Sequence, residues 1–467
     1  MNIHLKALLK NWPCTVYGQK INVNVISVTE QSTKVKAGSV FVARKGKITD
    51  GLVYVEEAIE KGAVAIVTDR PPQEVWQNEV PLIVVSDCLL FLAFASAELA
   101  GHPAKALNII AVTGTNGKTT VAHYIGQLLL QANRQVAVIG TIGVYINGKK
   151  TQHIDCLTTL TAEQLQPILQ ACVAEGITDI VMEASSMGLA QHRLAYCPID
   201  IGVLLNIGED HYEEHGGKEQ YLLAKQRLVD EAAYLFVNET SDMCKALCAH
   251  RLEKKAFFSP EQFKSYSVQV QKELETLVNE AQHFEENIAA ALAVANKLQL
   301  PIKDLSLQWP EGRMERVQLA NIKVYIDYAH TPEALQYSLE QLKQQPYRKL
   351  MVVFGCGGNR HQEKRQKMGR IVSQYGDTLY VTSDNPRNEQ PQKIIKDILE
   401  GVDKHHVQTI IEVDRKKAIQ LAIQNAQAGD VIVIAGKGHE RFQEIGQQKI
   451  AFSDRQIAYE ALGKYHL

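Results

Sequence analysis

The feature that most constrains the fold of this chain is the glycine-rich run VTGTNGKTT at residues 112–120. It joins an apolar segment, NIIAVTG, to an amphipathic one, TTVAHYIGQLLLQA, so the sequence predicts a strand, a loop and a helix in succession. Such loops bind phosphate, because glycines let backbone N–H groups curl around the oxygens and a helix N-terminus favours an anion. A glycine-rich turn without a ligand is the alternative, and the strand–loop–helix context argues against it.

The side chains of this loop are those that a nucleoside triphosphate requires. Lys118 supplies a positive charge and Thr119 can ligate Mg²⁺. The predicted ATP-binding residues of the loop are Gly114, Thr115, Asn116, Gly117, Lys118, Thr119 and Thr120. We therefore expect a nucleotide triphosphatase or an ATP-using ligase, with ATP and Mg²⁺ as its cofactors.

The remainder of the chain predicts an α/β protein of three domains. A length of 467 residues is enough for several domains of ~100–200 residues each. We expect a small N-terminal α/β domain at residues 1–105, then a central P-loop ATPase-like domain with a parallel sheet at 106–308. A Rossmann-like domain follows at 309–467, because apolar runs and helical patterns resume there after a proline-containing linker.

Composition and charge exclude several classes of protein. Lys plus Arg number 50 against 52 Asp plus Glu, which leaves no basic excess for binding nucleic acid. The most apolar stretch, residues 81–100, contains Asp87 and Glu98 and is predicted to be a core strand and helix, with no membrane span. The eight cysteines are scattered and the N-terminal residues do not resemble a signal peptide, so we expect a cytoplasmic protein with reduced thiols.

A carboxylate, Glu183, ends the buried run DIVMEASS. The carboxyl ends of strands in open α/β sheets are where ligands bind, and a buried carboxylate needs a partner. Mg²⁺ on the ATP phosphates is the predicted partner, with His211 in NIGEDHYEEHG as a candidate second ligand. A polar loop with a surface histidine is the alternative for His211.

A set of ordered motifs then carries a resemblance over nearly the whole chain. They are TGTNGKTT, MEASSMGLAQHRL, DHYEEHGGKEQYLLAK, GRMERV, DYAHTPEAL, FGCGGNR, SDNPRNEQP and GKGHE. In this order they resemble the Mur ligase family, and within it most closely the MurE type. The resemblance implies that ATP phosphorylates a substrate carboxylate and that an amine attacks the acyl phosphate to form an amide.

The same resemblance implies roles for individual residues. Its catalytic set is Lys118, Glu183, His211 and Lys225, and its metal ligands are Thr119, Glu183, His211 and Lys225 as a carbamate. Further nucleotide contacts are implied for Asn287, Arg313, Asp327 and His330. Without the resemblance, Lys225 would be interpreted as a solvated lysine on a helix.

An amino-acid pocket is implied by SDNPRNEQP and GKGHE. Its residues are Arg360, Asp384, Asn385, Pro386, Arg387, Gly436 and Glu440. Arg387 suits meso-diaminopimelate, because a planar guanidinium can hold the distal carboxylate that lysine lacks. Arg365 is an alternative to Arg360, and for Arg387 the alternative is an arginine in a surface turn.

The acceptor site departs from the family pattern. The implied contacts are Ser32, Thr158, Thr159, Ser185, Gln191 and Arg193, but substitutions occur beside them at Gln31, Thr33, Leu52, Leu160 and Met187. The stretch between Phe236 and His283 also looks shorter than in typical relatives.

Three hypotheses follow. The first is a monomeric enzyme that adds meso-diaminopimelate to the D-Glu carboxylate of UDP-MurNAc-L-Ala-D-Glu in peptidoglycan precursor synthesis, with the N-terminal domain holding the UDP-sugar and the C-terminal domain holding the amino acid. The second is a paralogue that joins a similar amine to a different carboxylate, possibly in secondary metabolism. The third, a nonenzymatic nucleotide-binding protein, is disfavoured because Lys118, Glu183, His211 and Lys225 are all present.

Overall fold

The structure, a computed structural model, describes residues 2–10, 12–46, 49–72, 75–76, 78–151, 157–208, 212–265, 284–302, 305–319, 322–343, 346–359, 362–403 and 405–463. Two predicted site residues, His211 and Arg360, lie outside these ranges. The chain divides into two compact units: Met1–Gln262 with Ile288–Ile302, and Phe263–Asn287 with Lys303–Leu467. Within the described ranges, no helix has both the length and the apolar character needed to cross a membrane.

The strands and helices up to residue 297 alternate along most of the chain. The strands are β1 (Ile3–His4), β2 (Cys14–Tyr17), β3 (Asn24–Val25), β4 (Ser27–Thr29), β5 (Ser39–Val42), β6 (Ala63–Thr68), β7 (Leu82–Val85), β8 (Asn108–Thr113), β9 (Val136–Gly140), β10 (Gly143–Ile146), β11 (Lys149–Lys150), β12 (Asp179–Glu183), β13 (Ile201–Leu204), β14 (Tyr234–Asn238) and β15 (Lys255–Phe258). The helices are α1 (Leu5–Leu9), α2 (Val55–Glu60), α3 (Cys88–Ala100), α4 (Lys118–Gln131), α5 (Ala162–Ala174), α6 (Ser186–Ala190), α7 (Tyr212–His215), α8 (Lys218–Glu231), α9 (Asp242–Leu247) and α10 (Phe284–Lys297).

The first unit contains two large sheets. One has the strand order β2-β7-β6-β5-β4, in which only the β2–β7 pairing is antiparallel. The apolar stretch at 81–100 forms β7 and α3, as the sequence predicted. A charged residue is tolerated at position 87 because the Asp87 carboxylate caps α3. It accepts from the N–H groups of Leu89 and Leu90, each at 2.9 Å.

The larger sheet of this unit has the order β11-β10-β9-β12-β8-β13-β14-β15. From β9 to β15 the strands run parallel, and β10 and β11 add an antiparallel edge that the sequence pattern did not reveal. The inner strands are buried along their whole length, which explains their continuous apolar runs. Their carboxyl ends meet at one edge of the sheet.

The second unit is built on a six-stranded sheet. Its elements are β16 (Glu315–Leu319), β17 (Ile322–Asp327), β18 (Leu350–Phe354), β19 (Thr378–Val381), β20 (Gln408–Ile411), β21 (Val431–Ala435), β22 (Phe442–Ile445), β23 (Gln448–Ala451), α11 (Pro332–Lys343), α12 (Gln362–Tyr375), α13 (Pro391–Leu399), α14 (Arg415–Asn425) and α15 (Asp454–Ala461). The strand order is β16-β17-β21-β18-β19-β20, and all pairings except β16–β17 are parallel. The α/β fold class predicted from the sequence is confirmed.

One detail departs from the simple alternation expected here. The strand β21 is followed by the antiparallel ribbon β22–β23, and α15 comes only after it. The tip of this ribbon contacts the loop after β19, through a backbone bridge between Arg387 and Ile445.

Candidate functional site

The glycine-rich loop joins β8 to α4, as predicted. Gly117 has a φ of +86°, a left-handed conformation that favours glycine, and α4 begins at the next residue. The Lys118 ammonium donates to the carbonyls of Gly114 and Thr115 at 2.7 and 2.9 Å. The lysine therefore lies across the loop, where its charge can meet phosphate oxygens.

Residues that the sequence analysis did not select hold this loop in shape. Asn206, just after β13, accepts from the Asn116 N–H at 2.9 Å and donates to the Asn116 carbonyl at 3.1 Å. The Thr115 hydroxyl lies 2.7 Å from the Tyr221 hydroxyl and accepts from the Gly208 N–H at 2.7 Å. The segment after β13 and the helix α8 thus fix the loop, which reduces the entropy lost when phosphate binds.

Glu183 lies at the carboxyl end of β12, as predicted, and is buried. One carboxylate oxygen accepts from the Thr141 N–H at 2.7 Å. The other accepts from the hydroxyls of Thr141 and Thr119, at 2.9 and 3.0 Å. The predicted metal ligands Thr119 and Glu183 are therefore adjacent, and their oxygen donors are of the kind that Mg²⁺ prefers.

Lys225 lies on α8 and is almost completely buried, with 1% of its surface exposed. Its ammonium lies 3.5 Å from the Thr113 hydroxyl at the end of β8 and 5.0 Å from the centre of the Tyr221 ring. Buried lysines are rare because the charge loses its hydration. The interpretation as a solvated lysine on a helix is wrong.

Most of the predicted acceptor residues form one hydrogen-bonded group. The Thr159 hydroxyl donates to the Glu183 carbonyl at 2.8 Å and accepts from the Ser185 N–H at 2.8 Å. Arg193 donates to the Thr159 carbonyl at 2.6 Å and to the Gln191 side chain at 3.0 and 2.6 Å. Thr158 joins the group through its hydroxyl, 3.2 Å from that of Thr141.

The electrostatic setting of Arg193 involves the N-terminal sheet. Burial lowers the pKa of its guanidinium, and the negative charge of Glu30 acts in the opposite direction. Glu30 follows β4, and Ser32 begins a short 3-10 turn, Ser32–Lys34, two positions later. Ser32 is therefore close in sequence to Glu30, whose charge acts on Arg193. Among the described residues, no direct contact joins Ser32 to Arg193.

The predicted nucleotide contacts of the second unit lie at the carboxyl end of β17. Asp327 is buried and accepts from the Met314 N–H at 3.1 Å and the Ser338 hydroxyl at 2.5 Å. Arg313 stacks 4.6 Å above the Tyr328 ring, and His330 donates to the Tyr328 carbonyl at 2.8 Å. Asn287, on α10, is buried.

The predicted amino-acid pocket draws together two strand ends. The Asp384-Asn385-Pro386-Arg387 run follows β19, and the glycine-rich run from Gly436 to Glu440 follows β21. The Asn385 amide donates to Glu440 Oε2 at 2.9 Å, so these two predicted residues are in contact. A Cβ at Gly436 would approach Asp384 Oδ2 to 2.7 Å, which explains why glycine is needed there.

Arg387 is held by backbone as well as by side-chain contacts. Its φ of +51° is unusual for a residue other than glycine. The guanidinium donates to the Gly358 carbonyl at 2.9 Å and pairs with Glu444 on β22 at 2.8 Å. Both side chains line a cavity of about 260 Å³ together with Asn359 and Lys449.

Arg365, the alternative to Arg360, is not among the residues that line this cavity. Its side chain is 1% exposed and pairs with Glu389 at 2.8 Å and Asp397 at 2.7 Å, so its charge is already compensated. The choice between Arg360 and Arg365 stays a prediction, and Arg360 lies outside the described residues.

Three models of Mur ligase domains match successive segments of the chain. A Mur ligase family catalytic-domain model matches residues 24–98, a Mur ligase middle-domain model matches 112–298, and a Mur ligase glutamate ligase-domain model matches 312–438. The chain is a member of the Mur ligase family.

Similar Mur ligases include two proteins named UDP-N-acetylmuramoyl-L-alanyl-D-glutamate–2,6-diaminopimelate ligase. That of Caldanaerobacter subterraneus is 36% identical, over 95% of this chain and 96% of its own length. That of Chlamydia caviae is 37% identical, over 99% of this chain and 100% of its own.

Solved structures resemble the whole fold. A solved structure of a UDP-N-acetylmuramoyl-L-alanyl-D-glutamate–2,6-diaminopimelate ligase matches over 100% of both chains. The identity is 29% and the TM-score is 0.63. The MurF ligase of Thermotoga maritima in complex with ADP, at 20% identity and a TM-score of 0.57, covers 94% of this chain and 98% of its own and shares the fold.

The packing around Glu183 generates a prediction for this Mur ligase. A methyl group at Gly140 would overlap Glu183 Oε1, so Gly140→Ala should displace the carboxylate. We expect ATP-dependent phosphate release per folded molecule to fall by ~10²-fold, because small misplacements of an active-site group cost this much.

Gly126→Ala is the matched control. Its new methyl group would overlap Val138 on β9, so it introduces a similar steric conflict away from Glu183. It should lower the melting temperature but leave the activity of the folded fraction within ~3-fold of wild type. Equal losses of activity in both variants would contradict the role of Glu183.

Proposed function

We propose that this Mur ligase adds meso-diaminopimelate to the D-Glu carboxylate of UDP-MurNAc-L-Ala-D-Glu, with hydrolysis of ATP to ADP and phosphate. The observation that carries the proposal is the Asp384–Arg387 turn, where Arg387 lines a cavity and the neighbouring Asn385 amide donates to Glu440. The names of relatives that match over nearly the whole chain support the same substrates. The reaction belongs to peptidoglycan precursor synthesis.

The proposed organisation follows from the same assignment. Residues 1–105 hold the UDP-sugar, residues 106–308 hold ATP and residues 309–467 hold the amino acid. We propose further that the enzyme works as a monomer in the cytoplasm.

Activation of the acceptor is the first chemical step. The D-Glu carboxylate attacks the γ-phosphorus of ATP, the bond to the β-phosphate oxygen breaks, and ADP leaves. Lys118 and the loop N–H groups between Gly114 and Thr120 bind the phosphate oxygens and stabilise the charge that develops on them. Thr119, Glu183, His211 and a carbamylated Lys225 are the proposed ligands of Mg²⁺, which when bound offsets negative charge on the phosphates.

Amide formation is the second step. The amine of meso-diaminopimelate attacks the acyl phosphate carbon, phosphate leaves, and the nitrogen loses a proton. Arg387 and Asn385 bind the distal end of the amine substrate and thereby orient its reacting nitrogen. Thr159, Ser185 and Arg193 are the proposed contacts of the acceptor close to Glu183.

Removal of the loop lysine tests the proposed reaction. Lys118→Ala should abolish phosphate release that depends on both acceptor and amine, because no other group in the loop supplies a side-chain cation. Lys149→Ala on the exposed strand β11 serves as the control and should retain wild-type rates. Wild-type turnover in Lys118→Ala would remove the loop from the mechanism.

The burial of Lys225 supports the proposed carbamate. Carbon dioxide adds to the neutral ε-amine with loss of a proton, so the side chain becomes an anion that can act as a metal ligand. We expect Lys225→Ala to lose ~10²-fold or more in activity and to recover part of it with short-chain carboxylic acids, which replace the missing anion.

Mass analysis under bicarbonate provides a second measurement of the carbamate. An active preparation that contains only free lysine at position 225 would contradict the modification. Full activity of Lys225→Ala would contradict its importance for turnover.

The second candidate function is a paralogue that joins a similar amine to another carboxylate. The substitutions at Gln31, Thr33, Leu52, Leu160 and Met187 favour it. Leu160, for example, is 2% exposed and packs in the core of the larger sheet, where it offers no polar contact to an acceptor. Phosphate release measured with UDP-MurNAc-L-Ala-D-Glu and with other carboxylate acceptors separates the two functions. Faster release with another carboxylate would favour the paralogue.

Selection of the amine is tested at Arg387. Arg387→Ala should lower kcat/KM for meso-diaminopimelate by at least ~10²-fold and leave the KM for ATP within ~2-fold, because a bidentate charged contact is lost. Asn385→Ala should act in the same direction but more weakly. If the wild-type enzyme incorporates L-lysine as efficiently as meso-diaminopimelate, the proposed pocket is wrong.

A further inference from the structure

A buried lysine that the mechanism above does not use lies beneath the amino-acid pocket. Lys437 is 0% exposed, although it carries a charge. Its ammonium donates to Asn385 Oδ1 at 2.8 Å and to Glu440 Oε2 at 2.6 Å. Both acceptors belong to the residues proposed to bind the amine substrate.

The backbone on either side of Lys437 is shaped to turn this side chain inward. Gly436 and Gly438 have φ values of +115° and +51°. A Cβ at Gly438 would approach the Gly312 carbonyl to 2.6 Å and the Tyr328 Cβ to 2.8 Å. Glycine at both positions lets the chain leave β21, bury one lysine and return to Glu440.

These contacts fix which polar atoms the pocket presents. Asn385 Oδ1 accepts from Lys437 and also from the Glu444 N–H at 2.9 Å, so both of its lone pairs are used. One amide N–H of Asn385 donates to Glu440, so the side chain can offer a ligand only its second N–H, which suits a carboxylate. Glu440 Oε2 accepts hydrogen bonds from the Lys437 ammonium and the Asn385 amide. Its other oxygen, Oε1, can then accept from an ammonium of the substrate.

We propose that Lys437 is a positioning residue for amine recognition, one that locks the Asn385 amide and the Glu440 carboxylate so that they match a carboxylate and an ammonium on the same substrate. This inference rests on the proposed function. Lys437 acts from below the pocket and does not contact the amine itself. It compensates the charge of Glu440, which would otherwise be partly buried without a cation.

Lys437→Met tests the proposal by steady-state phosphate release with UDP-MurNAc-L-Ala-D-Glu and ATP at saturation. The KM for meso-diaminopimelate should rise by at least ~10-fold while kcat falls by less than ~3-fold, since binding of the amine is what the lysine supports. The KM for ATP should stay within ~2-fold. A general structural defect would not separate these parameters.

Arg348→Met is the matched control within the same unit. Arg348 pairs at 2.7 Å with Asp430, which is 1% exposed and precedes β21, so this variant also removes the cation from a buried carboxylate. It lies at the opposite end of the strand from Lys437. Both KM values should remain within ~2-fold of wild type in this variant.

A double variant keeps the test valid if Lys437→Met fails to fold. Lys437→Met/Glu440→Gln removes both charges and leaves no unpaired ion. Its KM for meso-diaminopimelate should lie within ~2-fold of that of Glu440→Gln alone, because the lysine acts through the groups it holds. A much larger loss in the double variant would mean that Lys437 contacts the amine directly, which overturns the positioning role.

The outcomes also separate this inference from the proposed function. An unchanged KM for meso-diaminopimelate in Lys437→Met, with an active wild-type enzyme, overturns the inference alone. Equal increases in the KM values for ATP and meso-diaminopimelate overturn it as well. A wild-type enzyme that releases no phosphate with these substrates overturns the proposed function, and the inference with it.

Discussion

The parallel pairing of β8 with β12 and β13 is the constraint on which the candidate ATP site depends. Glu183 pairs in register with Val112, and Leu204 with Thr113, so three strands end together beside the loop. Because of this register, the Glu183 carboxylate and the Thr119 hydroxyl lie next to each other at the glycine-rich loop. A shift of one residue in the β8–β12 pairing would turn Glu183 to the other face of the sheet.

The second unit repeats this principle with different chemistry. Its parallel strands β19, β18 and β21 are neighbours, and the runs that follow β19 and β21 carry Asn385 and Glu440. Parallel sheets present the carboxyl ends of their strands at a common edge, which is where ligands bind in such folds. The same architecture therefore carries the glycine-rich loop in one unit and the proposed amino-acid pocket in the other.

Local patterns predicted those features that local sequence determines. The glycine-rich loop, the position of Glu183 and the strand and helix at 81–100 are of this kind, since periodicity and capping signals lie within a few residues. Asn206 and Tyr221 escaped prediction because they act on the loop from 90 and 106 positions away along the chain. Lys437 escaped for a related reason, since only the fold reveals that the lysine of the GKGHE run is buried against Asn385.

The ribbon β22–β23 has a consequence for how amine preference is encoded. The Arg387 N–H donates to the Glu444 carbonyl at 3.0 Å, and the Gly446 N–H donates to the Arg387 carbonyl at 2.8 Å. The ribbon thus fixes the position of the Arg387 backbone, and it does so through backbone groups, which a side-chain motif does not reveal. Two Mur ligases with the same Asp-Asn-Pro-Arg run can therefore present that arginine differently, if an insertion or deletion changes the length of the ribbon. Under the proposed role of Arg387, amine preference is a property of loop length as much as of residue identity.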